Sequence, residues 1–199
     1  MLYISNERKM DITTPVRHWY WFFENLYTPK EIKLLNNKIK KHLVDLKDNP
    51  ATGVVKTSQV SIFSPYNIPE LDRVFQCIHK ANRFNFGFYL FDSIDERRLP
   101  LNYNVYDSKT KAEYKYHTDG EYKNPIADTK LTSILNLSTS SYKGGEFYIN
   151  PFGEEHLVPQ ISKPGTLLVF PASFFHKVSP VIKGKRITVG VWSKGPKFR

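Results

Sequence analysis

Two histidines and one aspartate have the residue types and the spacing of metal ligands. His117 and Asp119 are separated by one residue at the end of a predicted strand, and side chains at positions i and i+2 of a strand project from the same face. Both side chains can therefore contact one ion. His176 is the candidate for a third ligand, because the predicted strand before it turns at Pro171 and brings the next strand beside the first.

Two imidazoles and one carboxylate would form a facial triad, which leaves three coordination positions open and is diagnostic of non-haem iron(II) oxygenases. The alternative is that the His-x-Asp pattern arises by chance, since most histidines only satisfy a hydrogen bond. The distal His176 and a basic residue downstream of it favour the metal site.

That basic residue is Arg186, ten residues after His176, on a predicted strand rich in β-branched residues. A guanidinium is an unusual choice for an inward position of such a strand. Its planar fork can bind a carboxylate through two hydrogen bonds. The alternative is that Arg186 belongs to the basic turn at 183–186 and points to solvent.

The elements that must position these residues change character along the chain. Thr28, Pro29 and Glu31 provide an N-cap, a first-turn proline and a capping-box glutamate, which predict a helix over 29–46. A second helix is predicted over 69–82 from the helical spacing of its apolar residues. Between the helices, residues 53–63 are predicted to form a strand.

After Asn82 the sequence contains short strand candidates separated by Gly, Pro, Asn and Asp, a pattern typical of a sandwich or jelly roll. The predicted strands are 84–92, 101–106, 112–117, 131–137, 146–149, 165–170, 174–178 and 186–192. Together these elements predict an α+β, mainly β fold with N-terminal helices packed on one sheet. We expect one domain over 1–199, with helical support over about 1–82 and the jelly-roll core over about 83–192.

The net charge of +10 comes from 29 Lys and Arg against 19 Asp and Glu, which favours acidic partners such as nucleic acid. Much of the excess lies in the predicted helix 29–46, where it indicates a solvated lysine face. The single cysteine, Cys77, rules out an intramolecular disulfide and a Cys-based zinc site. Neither a signal-peptide stretch nor a membrane span is found, so we expect a cytoplasmic protein without membrane contact.

Five segments carry a resemblance to a known family. They are His117-x-Asp119, Gly144-Gly145-Glu146-Phe147, Lys163 to Pro171, His176-x-Val178-x-Pro180-Val181 and Arg186 to Trp192. In this order and spacing they resemble the prolyl 4-hydroxylase-like branch of the 2-oxoglutarate and iron(II)-dependent dioxygenases. The resemblance covers roughly 102–192 and implies a double-stranded β-helix, that is, a jelly-roll core.

The resemblance implies Fe(II) as the metal, 2-oxoglutarate as co-substrate and O2 as the oxidant. His117, Asp119 and His176 match the iron ligands of the family. Arg186 matches the basic residue that pairs with the far carboxylate of 2-oxoglutarate.

Two further residues are expected to contact the co-substrate. Tyr106 lies before the His-x-Asp element at about the distance of a family tyrosine that hydrogen-bonds 2-oxoglutarate. Competing candidates for this role are Tyr103, Tyr114 and Tyr116. Thr188, two residues beyond Arg186 on the same strand face, could add a hydroxyl to the pocket.

The activity implied by the resemblance is hydroxylation of a C–H bond in a protein or peptide, with release of succinate and CO2. One alternative substrate is a free amino acid or another small molecule. An alternative of a different class is a non-catalytic jelly-roll module that binds nucleic acid or carbohydrate, supported only by the basic charge and the aromatic content.

Two positions narrow the reaction within the superfamily. Halogenating members carry a small residue in place of the carboxylate, so the presence of Asp119 favours hydroxylation. Nucleic-acid demethylases carry a second arginine six residues after the first, where this chain has Trp192. This difference argues against repair of alkylated bases, although the net charge of +10 leaves nucleic acid open as a partner. The loops 92–100 and 121–130 flank the site and are candidates for a substrate lid, with Tyr122 and Trp192 as candidate substrate-facing aromatics.

Overall fold

The computed structural model describes residues 18–45, 56–91, 99–120 and 126–197. Within these ranges the α-helices are α1 (Pro29–Lys40) and α2 (Asp72–Ala81). The strands in the same ranges are β1 (Trp21–Phe23), β2 (Val44–Asp45), β3 (Gln59–Phe63), β4 (Leu101–Asp107), β5 (Tyr114–His117), β6 (Ala127–Asn136), β7 (Lys143–Gly144), β8 (Phe147–Asn150), β9 (His156–Leu157), β10 (Leu167–Pro171), β11 (Phe175–Val178), β12 (Val181–Lys183) and β13 (Lys185–Pro196).

Helix α1 begins with the predicted capping box. The Thr28 hydroxyl accepts a hydrogen bond from the Glu31 N–H, and the Glu31 carboxylate accepts one from the Thr28 N–H at 2.8 Å. The predicted end at residue 46 is wrong, because the helix stops at Lys40. The β-branched Val44 lies instead in β2, where pairing with β3 replaces helical hydrogen bonds.

The prediction of a strand over 84–92 is wrong for its described residues. After α2 the chain continues as a π-helix, Asn82–Phe86, which ends at Gly87 in the left-handed conformation (φ 72°). The Asn82 side chain donates to the carbonyl of Phe88 and accepts from its N–H. These side-chain bonds satisfy backbone groups that a sheet ladder would otherwise satisfy, so no strand forms.

The strands form a large, a small and a two-stranded sheet within the described ranges. The orders are β1-β10-β6-β13-β4-β3-β2, then β5-β11-β8-β9, then β12-β7, and the paired strands are antiparallel. The predicted strands from residue 101 onward are confirmed with shifted ends. The predicted strand 53–63 is found as β3, while 53–55 lie outside the described residues. The short strands β1, β2, β7, β9 and β12 were not predicted.

Two apolar clusters hold the layers together. The first packs α1 and α2 on one face of the large sheet, with Ile39, Ile78 and Leu135 fully buried. The second lies between the large and the small sheet, where Phe147 of β8 contacts Phe170 of β10 with ring centroids 5.3 Å apart. This arrangement confirms the jelly-roll core with helices packed on one sheet. The prediction of a single domain over 1–199 stays a prediction.

The lysine face of α1 is confirmed. Its lysines, Lys30, Lys33, Lys38 and Lys40, are all exposed, whereas Ile32, Leu35 and Ile39 are buried. A solvated face therefore explains this part of the positive charge. Within the described residues, none of the helices combines the length and the apolar character that crossing a membrane requires.

Candidate metal centre and adjoining anion pocket

The three sequence-predicted ligands converge at one end of the small sheet. His117 ends β5 and pairs directly with His176 on the antiparallel β11. The Nε2 atoms of His117 and His176 lie 3.6 and 3.4 Å from the carboxylate oxygens of Asp119. One ligand atom from each of the three residues lies within 4.8 Å of the others. The arrangement has the size and the donor types of a metal site.

Backbone carbonyls fix the orientation of both imidazoles. The Nδ1 atom of His117 lies 2.8 Å from the carbonyl oxygen of Lys115, and Nδ1 of His176 lies 3.0 Å from that of Phe174. A carbonyl only accepts hydrogen bonds, so each Nδ1 carries the hydrogen and each Nε2 keeps a lone pair. That lone pair faces Asp119, as a metal-binding imidazole requires.

The Asp119 carboxylate is held by side chains from the large sheet. The Thr132 hydroxyl donates to Oδ2 at 2.7 Å, and the Trp192 side chain donates a further hydrogen bond to the carboxylate. Thr132 and Trp192 are register partners on β6 and β13. The Asp119 N–H also donates to the carbonyl of Ala172 at 2.9 Å. The carboxylate is thus oriented by the opposing sheet, and Trp192 contacts the cluster directly.

The protonation states suit a cation. Burial lowers the pKa of His117 to about 4, and the neighbouring His176 adds to this shift. Burial opposes ionisation of Asp119, but hydrogen bonds from His176 and Trp192, and the charges that the two histidines carry when protonated at low pH, outweigh it. Together they hold the pKa of the carboxyl below its usual range. At neutral pH the cluster therefore combines a neutral His117 imidazole with an ionised carboxylate.

Arg186 points inward, which excludes the alternative of a solvent-exposed turn. Its residue is 1% exposed, and it lines the same enclosed cavity as the three candidate ligands. Within the described part of the chain, its Nε and Nη2 atoms have no hydrogen-bond partner. A buried guanidinium with unpaired N–H groups is costly unless an anion completes it.

Tyr106 and Thr188 both line the cavity that the candidate ligands line. Tyr106 pairs with Arg186 across β4 and β13, and its ring centroid lies 5.3 Å from the guanidinium carbon. Thr188 is buried and lines the same cavity. Their contact with a co-substrate stays a prediction.

The structure separates the competing tyrosines. Tyr103 belongs to the cluster under the helices, on the opposite face of the large sheet. Tyr116 is exposed and hydrogen-bonds Glu155. Tyr114 does line the cavity and stacks on His117 with ring centroids 3.5 Å apart.

Sequence reasoning missed three polar residues of this site. Thr132 holds the Asp119 carboxylate, and Lys56 and Asn104 line the cavity and are hydrogen-bonded to each other. Asn104 lies between the apolar Tyr103 and Val105, so strand parity could have placed it inward, whereas Thr132 lies between Leu131 and Ser133 and has no such signal. Lys56 precedes β3 in a polar segment with no comparable signal.

A second, wider cavity of about 430 Å³ adjoins Asp119 on the other side of the cluster. Its lining includes Leu99, Asn102, Thr118, Asp119 and Trp192. It is large enough to admit a side chain next to the candidate metal centre. The central parts of the predicted lid loops, including Tyr122, lie outside the described residues.

A known family model matches the part of the chain that contains the candidate ligands. Residues 101–194 match the model of the 2OG-Fe(II) oxygenase superfamily, and this range contains His117, Asp119, His176 and Arg186. The strand-rich part of this chain is therefore similar to the 2OG-Fe(II) oxygenase superfamily.

Relatives that the chain matches include PKHD-type hydroxylases. The chain is 31% identical over 116 residues to a PKHD-type hydroxylase of Xylella fastidiosa (strain 9a5c), a match that covers 52% of this chain and 48% of the relative. The chain thus spans about half the length of the curated relatives it matches.

Solved structures share the fold. The viral collagen prolyl hydroxylase of Paramecium bursaria Chlorella virus-1, solved as a 2OG complex, aligns with a TM-score of 0.66 and 18% identity over 89% of this chain and 97% of that chain. A prolyl hydroxylase of Trichoplax adhaerens, in complex with a peptide fragment of the hypoxia inducible factor oxygen degradation domain, aligns with a TM-score of 0.63 and 14% identity over 88% of this chain and 83% of that chain.

Proposed function

We propose that this chain is a 2-oxoglutarate-dependent Fe(II) dioxygenase that hydroxylates a C–H bond in a protein or peptide and releases succinate and CO2. The observation that carries the proposal is one cavity between the two sheets with two chemically matched ends. One end has the His117, Asp119 and His176 cluster, and the other has the buried, incompletely paired guanidinium of Arg186. A metal-binding keto acid with a second carboxylate has one chemically matching group for each end.

In this proposal His117, Asp119 and His176 hold the ferrous ion as a facial triad. Fe(II) and 2-oxoglutarate, when bound, supply the oxidising chemistry by activating dioxygen. Arg186 binds the far carboxylate of the co-substrate through its fork, and Tyr106 and Thr188 contribute hydroxyl groups beside it.

The remaining groups of the chain orient the ligands and exclude water. Thr132 and Trp192 hold the Asp119 carboxylate in one orientation. Phe147 and Phe170 pack against the His176 ring with centroids 5.7 and 4.8 Å away. Dry walls on this side strengthen the electrostatic contacts inside the cavity and direct the reaction to its open side.

The open side is the 430 Å³ cavity beside Asp119, which we assign to the substrate. A protein or peptide substrate is supported by the structural neighbour solved with a peptide fragment. A free amino acid or another small molecule is the second candidate. The single cysteine supports a reducing compartment, and we propose the cytoplasm as the location.

The first experiment is anaerobic addition of Fe(II) and 2-oxoglutarate to the purified chain, with detection of the visible charge-transfer band of the chelate. We expect the band in the wild type, and its loss or weakening in Asp119→Ala and Arg186→Ala. Asp72→Ala and Arg73→Ala, which remove the same charges in the first turn of α2, serve as matched controls and should keep the band. A folded wild type with neither a band nor affinity for Fe(II) would exclude the oxygenase and leave the jelly-roll binding module.

The second experiment identifies the substrate class. Succinate release is measured with the Fe(II)-loaded wild type on proline-containing peptides and on free amino acids, each compared with the uncoupled rate without substrate. A rise only with peptides, with a mass increase of one oxygen in the peptide, supports the proposal. If succinate release rises only with free amino acids, the substrate is a small molecule and not a peptide.

A further inference from the structure

A lysine is buried in the same cavity as the candidate metal ligands. Lys56 is 4% exposed, and its backbone forms an isolated bridge with Tyr114, three residues before His117. This bridge fixes the lysine at the edge of the small sheet and directs its side chain between the two sheets. The cavity thus has two buried cationic side chains, Lys56 and Arg186.

Most N–H donors of the Lys56 ammonium make no hydrogen bond to the described residues. Among the described residues it makes one hydrogen bond, to Oδ1 of Asn104 at 2.7 Å, and it lies 4.6 Å from the ring centroid of Tyr114. An ammonium has three N–H donors. Lys56 forms no ion pair with a carboxylate of the described residues. Burial lowers the pKa of its ammonium to about 8, and the Asp119 carboxylate, which is beyond ion-pair distance, partly opposes this shift. A buried lysine is therefore charged at neutral pH without a paired anion.

The position of Lys56 along the cavity is defined by the strand register. Arg186 pairs with Tyr106 at one end, and Thr188 pairs with Asn104 at the next inward position, about 7 Å along the strand. Farther along β13 lies Trp192, which hydrogen-bonds Asp119. Lys56, bonded to Asn104, accordingly lies between the guanidinium and the candidate metal centre.

A 2-oxo acid that binds a metal through its keto group and one carboxylate oxygen leaves the second oxygen of that carboxylate without a metal bond. In an enclosed cavity such an oxygen needs a hydrogen-bond donor. Arg186 is at the other end of the cavity and, in the proposed function, binds the far carboxylate. Lys56 is the cationic donor on the metal side.

We propose that Lys56 is a second cationic residue of the co-substrate pocket and binds the metal-side carboxylate of 2-oxoglutarate, while Arg186 binds the far one. This inference rests on the proposed function. It assigns separate carboxylates to the two buried cations, and so predicts that they respond differently when the far carboxylate is removed from the ligand.

The test compares wild type, Lys56→Met and Arg186→Met as full-length chains under anaerobic conditions with Fe(II). Binding of 2-oxoglutarate is followed by the charge-transfer band, and Fe(II) binding is measured separately by calorimetry. Lys56→Met should bind Fe(II) as the wild type does but weaken 2-oxoglutarate binding about 10- to 100-fold, the value of one charge-assisted hydrogen bond. Lys143→Met, which removes one exposed lysine that does not line the cavity, controls for net charge.

The probe 2-oxobutyrate, which lacks the far carboxylate, separates the two cations. Lys56→Met should weaken 2-oxobutyrate and 2-oxoglutarate by similar factors, whereas Arg186→Met should weaken 2-oxoglutarate much more than 2-oxobutyrate. A Lys56 effect confined to 2-oxoglutarate would place the lysine at the far carboxylate and overturn the assignment.

A second substitution, Lys56→Gln, keeps the test valid if Lys56→Met folds poorly, since it retains a donor but loses the charge. Unchanged co-substrate binding in folded Lys56 variants would overturn the inference and leave the proposed function intact. A wild type that binds neither Fe(II) nor 2-oxoglutarate would instead overturn the proposed function itself.

Discussion

His117 and His176 are direct register partners on the antiparallel strands β5 and β11, and their ring centroids lie 4.1 Å apart. Sheet pairing, rather than a loop conformation, therefore brings the two imidazoles together. Asp119, two residues beyond His117, is then held against both by groups of the opposing sheet. The site is built from rigid elements on both sides, which favours a precise ligand geometry.

The first prediction concerns the hydroxyl that orients Asp119. Thr132→Val removes the 2.7 Å hydrogen bond to Oδ2 and keeps the shape of the side chain. We expect Fe(II) affinity to fall about 10- to 100-fold, the usual effect of losing a group that orients a metal ligand. Anaerobic titration calorimetry measures this change. Thr166→Val is the matched control, because Oγ1 of Thr166 is buried without a hydrogen-bond partner among the described residues. Equal affinity of both variants would contradict the prediction.

The second prediction is that removing the N-cap of α1 lowers the stability of the fold but leaves metal binding unchanged. Thr28→Ala removes the N-cap of α1, so the free energy of unfolding should fall by about 1 kcal/mol. Urea denaturation measures the loss, with the exposed Thr139→Ala as control. Fe(II) affinity should not change, since α1 packs on the face of the large sheet that is remote from the cavity. A loss of metal binding at constant stability would contradict this division of roles.

Local sequence signals predicted the features that depend on a few neighbouring residues. The capping box at Thr28 needs only residues three apart, and the pair His117 and Asp119 needs only strand parity. Arg186 was recognised because a guanidinium among β-branched residues has few reasons to be there. These features are set by local backbone geometry, which the sequence encodes directly.

Features that depend on distant partners were not predictable from the chain alone. Phe84 and Phe86 alternate as in a strand, yet the Asn82 side chain closes the backbone on Phe88 and a π-helix forms. The two-residue strands have no periodicity to detect. Lys56 enters the cavity because its backbone bridges to Tyr114, a contact between segments far apart in the sequence.

The third prediction concerns the glycine behind Arg186. Gly145 has φ +69°, and an added Cβ would lie 2.9 Å from Val181 Cγ2 and 3.0 Å from Arg186 Cδ. Both neighbours are buried, so Gly145→Ala should displace the arginine stem and destabilise the protein by about 1–3 kcal/mol.

The effect of Gly145→Ala on function can be separated from its backbone cost. Gly153 also has positive φ, +94°, but an added Cβ there meets nothing within 4 Å. Gly153→Ala therefore carries the conformational cost without the clash. We expect 2-oxoglutarate affinity, measured by the charge-transfer band, to fall in Gly145→Ala and to stay at the wild-type value in Gly153→Ala. Equal affinities would show that the arginine tolerates the extra methyl group.

The last prediction uses the stability cost of burying Lys56. Burial lowers the pKa of this lysine to about 8 in the folded chain, compared with about 10.4 in an unfolded one. Between these values the unfolded state binds more protons, so this group's contribution to stability rises with pH and is least favourable below about pH 8. Lys56→Met removes that cost.

We therefore expect apo Lys56→Met to be more stable than the wild type at pH 7 by about 1–3 kcal/mol, after allowance for the lost bond to Asn104. The difference should shrink as the pH rises from 8 to 10.4, whereas the exposed Lys143→Met should differ little from wild type at any pH. Urea denaturation across this pH range measures both curves. A Lys56→Met variant that is less stable than wild type at pH 7 would mean that the Asn104 bond outweighs desolvation. A variant that is more stable but binds 2-oxoglutarate poorly would identify Lys56 as a residue whose burial costs stability and serves ligand binding.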